Sequence, residues 1–281
     1  MSFHIRKMTI DNLRIAVAWA AAEAWNPGLN DAECFYSADP DGFFMAFDDE
    51  TPLGCVSAVA YDEKFGFIGF FIVRNDLRGH RIGIELGRTA LNYLGKRCVG
   101  QDGVLQKIGN YEHYGFKMAY RNIRYEGIAC KTLKTTGSVI PLSQVPFSEL
   151  SRYDMLHFPA QRTDFIRKWI SQPESLALGT LDAKSHLTGY GVIRKCGKGY
   201  KIAPLFANSA DLAELLFLNL ANFAAEGEAI YLDLPEPNMD ALALAEKYRM
   251  TQVFSTARMY LGDAPKLPVD EIFGVTSFEL G

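Results

Sequence analysis

"FGFIGFFIVRNDLRGHRIGIELGRTAL" occupies residues 65–91. An unbroken apolar run of strand type, ending at Val73, passes into a turn that carries Arg78, Gly79, His80, Arg81 and Gly83. The residues after it read as a helix. A helix start presents unpaired backbone N–H groups and the positive end of the helix dipole. Glycines let an anion reach that backbone, and arginines donate further hydrogen bonds to phosphate. The turn therefore reads as a cradle for a phosphate group, with a ligand-free basic corner as the alternative. It lacks the GxxxxGK[ST] spacing of a P-loop and the GxGxxG spacing of a dinucleotide fold.

Working outward, the run at 65–73 is the third of three strand-like segments, after "GFFMAFDD" and "PLGCVSAVAYD". Short acidic turns separate them, which predicts an antiparallel meander. Upstream, "FHIRKMTI" alternates at strand period. Asp11 reads as an N-cap for a helix over "NLRIAVAWAAAEAW", and "DAECFYSA" reads as a short second helix. Downstream of the opening helix come a strand near "CVGQDGVLQ", a helix around "KIGNYEHY" and a strand "FKMAYRNIRYEG".

Residues 131–146, "KTLKTTGSVIPLSQVP", read as a linker with room for one short strand, being polar and broken by Gly137, Pro141 and Pro146. The second half repeats the first faintly. "LGCVSAVAYDEKFGFIGFFIV" at 53–73 aligns with "TGYGVIRKCGKGYKIAPLFAN" at 188–208, Gly54 with Gly189 and Phe65 with Tyr200. "YEHYGFKMAYRNIRYEG" from Tyr111 aligns with "AEKYRMTQVFSTARMYLG" from Ala245, which puts Arg124 opposite Arg258. A repeat this long predicts a duplicated domain rather than a solenoid. The expected units are 1–130, the linker 131–146, and 147–281.

The 281 residues are 48% apolar and 22% charged, enough for a sizeable core. A net charge of −4 argues against broad nucleic-acid binding. Cys34, Cys55, Cys98, Cys130 and Cys196 are odd in number and scattered, so reduced thiols in a cytoplasmic protein are expected, without disulfides or a metal site. No signal-peptide pattern opens the chain and no apolar run is long enough for a membrane span.

Arg78, Gly79, His80, Arg81, Ile82 and Gly83, between a strand and a helix, resemble the acyl-coenzyme A signature of the GCN5-related N-acetyltransferases, Arg/Gln-x-x-Gly-x-Gly/Ala. Arg81 stands where that pattern has its middle glycine, so its backbone rather than its side chain is expected to face the phosphate. "YEHYGF" at 111–116 is similar to the family's Tyr-x-x-x-Gly-Phe. The resemblance implies a mixed, mostly antiparallel sheet flanked by helices, the acyl-CoA N-acyltransferase fold, α/β (α+β) in class and here duplicated in tandem. It implies acetyl-CoA as co-substrate, with its pyrophosphate held by residues 78–83. Phe71, Ile72 and Val73 are placed along the pantetheine arm, with Val73 nearest the thioester carbonyl. Tyr111 becomes the general acid that protonates the departing thiolate, a role typically worth about 10²–10⁴-fold in rate. A core tyrosine with no catalytic part is the bland alternative.

The reaction so implied is acetyl transfer to a primary amine, of a small molecule or a peptide, by direct attack in a ternary complex. The other reading is a non-catalytic acyl-CoA-binding or sensor protein. The general base is unassigned: Glu23 and Glu33 are weak candidates, Asp62 and Glu63 belong to a hairpin turn, and water can serve. His80 and His113 read as surface residues. The second half has no such signature and places Ala245 opposite Tyr111. It is expected to be a degenerate copy that walls the acceptor site or only stabilises its neighbour.

Overall fold

The computed structural model describes residues 2–129 and 137–281. The expected linker falls partly outside them. The first half runs β1 (His4–Lys7), α1 (Ile10–Ala22), α2 (Asp31–Ala38), β2 (Phe43–Asp48), β3 (Thr51–Ala60), β4 (Phe65–Val73), α3 (Arg81–Leu94), β5 (Cys98–Val104), α4 (Ile108–His113) and β6 (Lys117–Ile128). The second runs β7 (Ile140–Pro141), α5 (Phe147–His157), α6 (Thr163–Trp169), β8 (Ser175–Leu181), β9 (Leu187–Lys195), β10 (Tyr200–Ala207), α7 (Ala210–Ala221), β11 (Ala229–Pro235), α8 (Met239–Lys247), β12 (Thr251–Leu261) and β13 (Ile272–Gly274).

Local chemistry explains most boundaries. α1 is capped by Thr9 rather than by Asp11: the Thr9 hydroxyl accepts from Asn12 N–H while the Asn12 side chain accepts from Thr9 N–H. Asp11 instead sits in the first turn, where its charge suits the dipole. α3 buries Ile82, Leu86, Ala90 and Leu94, one stripe at four-residue spacing. Gly95, at φ +62°, ends it in a conformation that a side chain disfavours.

Among the described residues one sheet holds all the strands, in the order β1-β2-β3-β4-β5-β12-β6-β11-β10-β9-β8-β7, with β13 added against β10. Most neighbours are antiparallel, but β4 pairs with β5, and β10 with β11, in parallel. The two halves therefore exchange strands. β12, from the second half, lies between β5 and β6; β6, from the first, lies between β12 and β11. The meander of β2, β3 and β4 forms as its turn residues predict.

Helices cover both faces. α3 packs on β2 and β3 through Phe44, Ala46, Val56 and Ala58, with Tyr111 of α4 in the same cluster. α7 and α8 cover β9, β10 and β11 on the same side. On the other face one core spans both halves, joining Leu13 and Ala16 of α1, Phe35 of α2, Tyr153 of α5 and Trp169 of α6. Each large aliphatic side chain buried in these layers contributes about 1.5–3 kcal/mol. After β13, residues 275–281 run as a strap beneath the second helical layer; Thr276, Ser277, Phe278, Glu279 and Leu280 are all buried.

Candidate active site

β4 and β5 pair from Phe65↔Cys98 to Ile68↔Gln101 and then part. β4 continues to Val73 and β5 to Val104, so a notch opens between them. The cause lies in β4. Ser57 of β3 pairs with Gly69 and Cys55 with Ile72, so Phe70 and Phe71 together oppose Val56 alone. This is a β-bulge, which bends a strand and sharpens its twist. Phe70 takes φ +44°, a strained value for a non-glycine residue. Burial of its ring in the core under α1 and α2 holds it there.

Arg74 N–H donates to Leu53 O on the β3 side. By strand alternation the main chain of Val73 faces the notch. The Phe71 ring and the Val73 side chain lie beside Gly83 of α3. Ile72 differs from both: its side chain enters the opposite core and it pairs with Cys55. Its contribution is to the shape of β4.

The notch leads to the start of α3. His80 is the N-cap residue, extended in backbone, and no side chain caps the helix. Gly79 has φ +84° and open space where a Cβ would stand. Among the described residues the first amides of α3 thus have no side-chain cap. The Arg81 side chain is tied to Glu85 at 2.8 Å, which leaves its backbone at the helix mouth. Arg78 turns back: its Nε donates to Val73 O at 3.0 Å and its Nη2 to Glu23 at 2.5 Å. It braces the strand-to-helix corner and occupies Glu23, one of the weak base candidates. Glu33 is likewise held by Arg14. Asp62 accepts from the Lys64 and Phe65 amides and so fixes a hairpin turn.

Tyr111 lies on α4 with its ring over Gly103 of β5, so closely that a Cβ at Gly103 would collide with it. Gly103 is two residues beyond the last β4–β5 pair. Burial raises the Tyr111 pKa, opposed by the Val104 amide, so the phenol keeps its proton at neutral pH. His113 is exposed on the same short helix, its ring edge-on to Tyr114.

Several polar residues on the far face of the notch carry no motif in the sequence. Asp102 of β5 accepts from Arg258 of β12 at 3.0 and 2.7 Å and from Asn122 of β6 at 2.8 Å. Arg124 of β6 makes the matching bidentate pair with Asp233 of β11 at 2.6 and 2.7 Å. The two arginines that align in the repeat thus each serve the other half, because their strands are exchanged. The strap crosses this same face. Val275 N–H donates to Asp233 O, Phe278 packs under the Arg124 guanidinium, and the Glu279 carbonyl rests on Gly69 where any Cβ would collide.

In the second half β10 and β11 also pair in parallel and then part, after Ile202↔Leu232. There β13 enters the gap, pairing Leu205 with Gly274 and Phe206 with Ile272. α7 begins at Ser209, whose hydroxyl already accepts from Leu212 N–H. Ala245, opposite Tyr111 in the repeat, is buried in the core. Among the described residues no cluster of three or more His, Cys, Asp or Glu could hold a metal ion, and no helix is long and apolar enough to cross a membrane.

Two family profiles match the chain. The acetyltransferase (GNAT) family profile matches residues 10–116, and an acetyltransferase (GNAT) domain profile matches residues 150–274. The chain is 27% identical over 273 residues to the holothin acyltransferase of Pseudoalteromonas sp. (strain SANK 73390), covering 97% of this chain and 92% of that protein. A solved Pyrococcus horikoshii protein, provisionally assigned as an acetyltransferase, superposes with a TM-score of 0.84 at 25% identity, over 99% of this chain and 96% of its own. A tandem GNAT protein of the clavulanic acid biosynthesis pathway shares the fold, with a TM-score of 0.64 at 12% identity, over 94% of this chain and all of its own.

Proposed function

Because the chain belongs to the GNAT superfamily of acyltransferases, and carries two copies of its acyl-CoA N-acyltransferase fold, we propose that its first half transfers acetyl from acetyl-CoA to a primary amine. The observation that carries this reading is the notch: β4 parts from β5 after Ile68 and leads, through the turn at 74–80, to the uncapped start of α3. An extended pantetheine arm fits along the free edge of β4, pairing with the main chain as a third strand would. The amides of Gly79, His80, Arg81, Ile82 and Gly83 take the pyrophosphate, and the Phe71 and Val73 side chains flank the arm. Arg78 acts by bracing the corner.

With the acyl group at the mouth of the notch, the Val73 main chain lies nearest the thioester carbonyl. A donor fixed there stabilises the oxyanion that forms on attack. Tyr111 stands at the same mouth and supplies the proton for the sulfur. Its raised pKa suits a donor that must remain protonated until the thiolate departs. We place the second half in a supporting role: β13 fills the notch that would otherwise admit a second acyl-CoA.

The reading is tested by thiol release from acetyl-CoA across a panel of amines. Acetyl-CoA is expected to raise the melting temperature, and at least one amine to release thiol. Tyr111→Phe is expected to keep acetyl-CoA affinity and lose about 10²–10⁴-fold in kcat. A parent-like kcat in that variant removes Tyr111 from the mechanism. A thermal response to simple phosphate but not to acetyl-CoA would overturn the donor assignment.

A further inference from the structure

We propose that Glu279, on the strap supplied by the second half, receives the ammonium of the acceptor and takes its proton before the amine attacks. This rests on the acetyl-transfer reading above. It begins from four side-chain atoms that are buried without a hydrogen-bond partner among the described residues: Ser57 Oγ, Asn122 Oδ1, Arg194 Nη1 and Glu279 Oε1. A buried polar group left unsatisfied costs about 1–3 kcal/mol, and more when charged. Such groups persist where water or a ligand completes them.

All four lie on one face of the molecule. Ser57 is the partner of Gly69 across the bulge. Asn122 holds Asp102 beside the notch. Arg194 reaches Asp31 at the start of α2. Glu279 sits on the strap between the sheet and that helical layer. The acyl group reaches this layer from the other side of the sheet, through the notch. The unfilled polar capacity therefore gathers where an acceptor must sit. Its mixture of donors and acceptors suits a small polar amine.

Glu279 is the anion among the four, and its own carbonyl rests on Gly69 at the bulge. The charges facing it are Lys201 of β10, Arg124 of β6, Arg194 of β9 and Asp31 of α2. Two of the cations are already committed: Arg124 is paired with Asp233 and Arg194 with Asp31. Lys201 stands 3.8 Å from Asp233. Burial pushes the Glu279 carboxyl up, toward the range in which it can accept and later release a proton.

The steps balance as follows. One ammonium proton passes to the Glu279 carboxylate. The freed nitrogen lone pair forms the C–N bond at the thioester carbonyl. The C–S bond breaks, the thiolate takes the Tyr111 proton, and the second nitrogen proton returns to the Tyr111 oxygen.

The test uses the full chain and an amine that the parent acetylates. Glu279→Gln is expected to bind acetyl-CoA as the parent does, by calorimetry, and to lose 100-fold or more in kcat at pH 7. Its acidic limb in kcat/KM should move up from the Glu279 titration to that of the amine itself, with activity partly restored at alkaline pH, where the amine is already free. A parent-like circular dichroism spectrum and a single cooperative melt show that the variant is folded. Glu279→Asp, which keeps the carboxylate, should keep the acidic limb at a lower rate. A Glu279→Gln enzyme with the parent's rate and acidic limb would overturn the proposal, as would the same upward move of the limb in Glu279→Asp if the glutamine variant does not fold. A parent that releases no thiol with any amine fails at the earlier step and overturns the acetyl-transfer reading with it.

Discussion

Gly103 has no part in any motif, yet it decides where Tyr111 stands. The phenol ring lies on the bare backbone of β5, in space that a single methyl group would fill. Gly103→Ala must push that ring off the notch. Overpacking of this kind costs about 1–3 kcal/mol, and the displaced acid should lower kcat while the KM for acetyl-CoA changes little. Steady-state kinetics beside a thermal melt check this. An alanine variant with the parent's kcat would show that the ring position is not critical. Gly69 makes the same point on the other strand, where its missing side chain admits the Glu279 carbonyl. Two glycines thus set the two sides of the notch by what they leave out.

At the scale of elements, the strand–helix units of the two halves differ in what fills the gap between parallel strands. In the first, β4 and β5 part, and among the described residues no strand pairs with the β4 edge beyond Ile68 on that side. In the second, β13 supplies the missing backbone partner to β10. The helix that follows each gap agrees. α3 begins without a side-chain cap, while the Ser209 hydroxyl accepts from one amide of the first turn of α7. One acetyl-CoA per chain is therefore expected by calorimetry, with Arg81→Ala weakening it only slightly because the Arg81 side chain is held by Glu85. A stoichiometry of two would mean that β13 leaves its slot.

For the whole molecule, exchange of β6 and β12 makes each half depend on the other. Arg124 and Asp233 are both buried, and so are Asp102 and Arg258. Removing one partner of such a pair typically costs about 3–5 kcal/mol, because the other is left charged and buried. Residues 1–129 produced alone would lose Arg258 and leave Asp102 without it. That fragment is expected to give no cooperative monomeric melt. Co-expressed with residues 137–281 it should assemble into a complex that melts as one unit. A stable monomeric fragment that binds acetyl-CoA would show that the exchange is not required for the fold.

The sequence by itself determined the elements and the face each one buries. Period-two and four-residue patterns report which side of a strand or helix is apolar, and turn residues report where it stops. For that reason the meander, α2, the start of α3 and the placing of Tyr111 on a short helix were all legible. The α1 cap fell to Thr9 because a threonine that exchanges hydrogen bonds with Asn12 satisfies two amides, where Asp11 would satisfy one. The repeat was legible too, including the alignment of Arg124 with Arg258. Only the tertiary structure decided which strand lies beside which. Alternation marks a face but not a neighbour, so the exchange of β6 and β12, the insertion of β13 and the course of the strap have no local signature. Those are the features that bring Arg258 and Glu279, 156 and 177 residues beyond Asp102 in the chain, to one polar layer behind the notch.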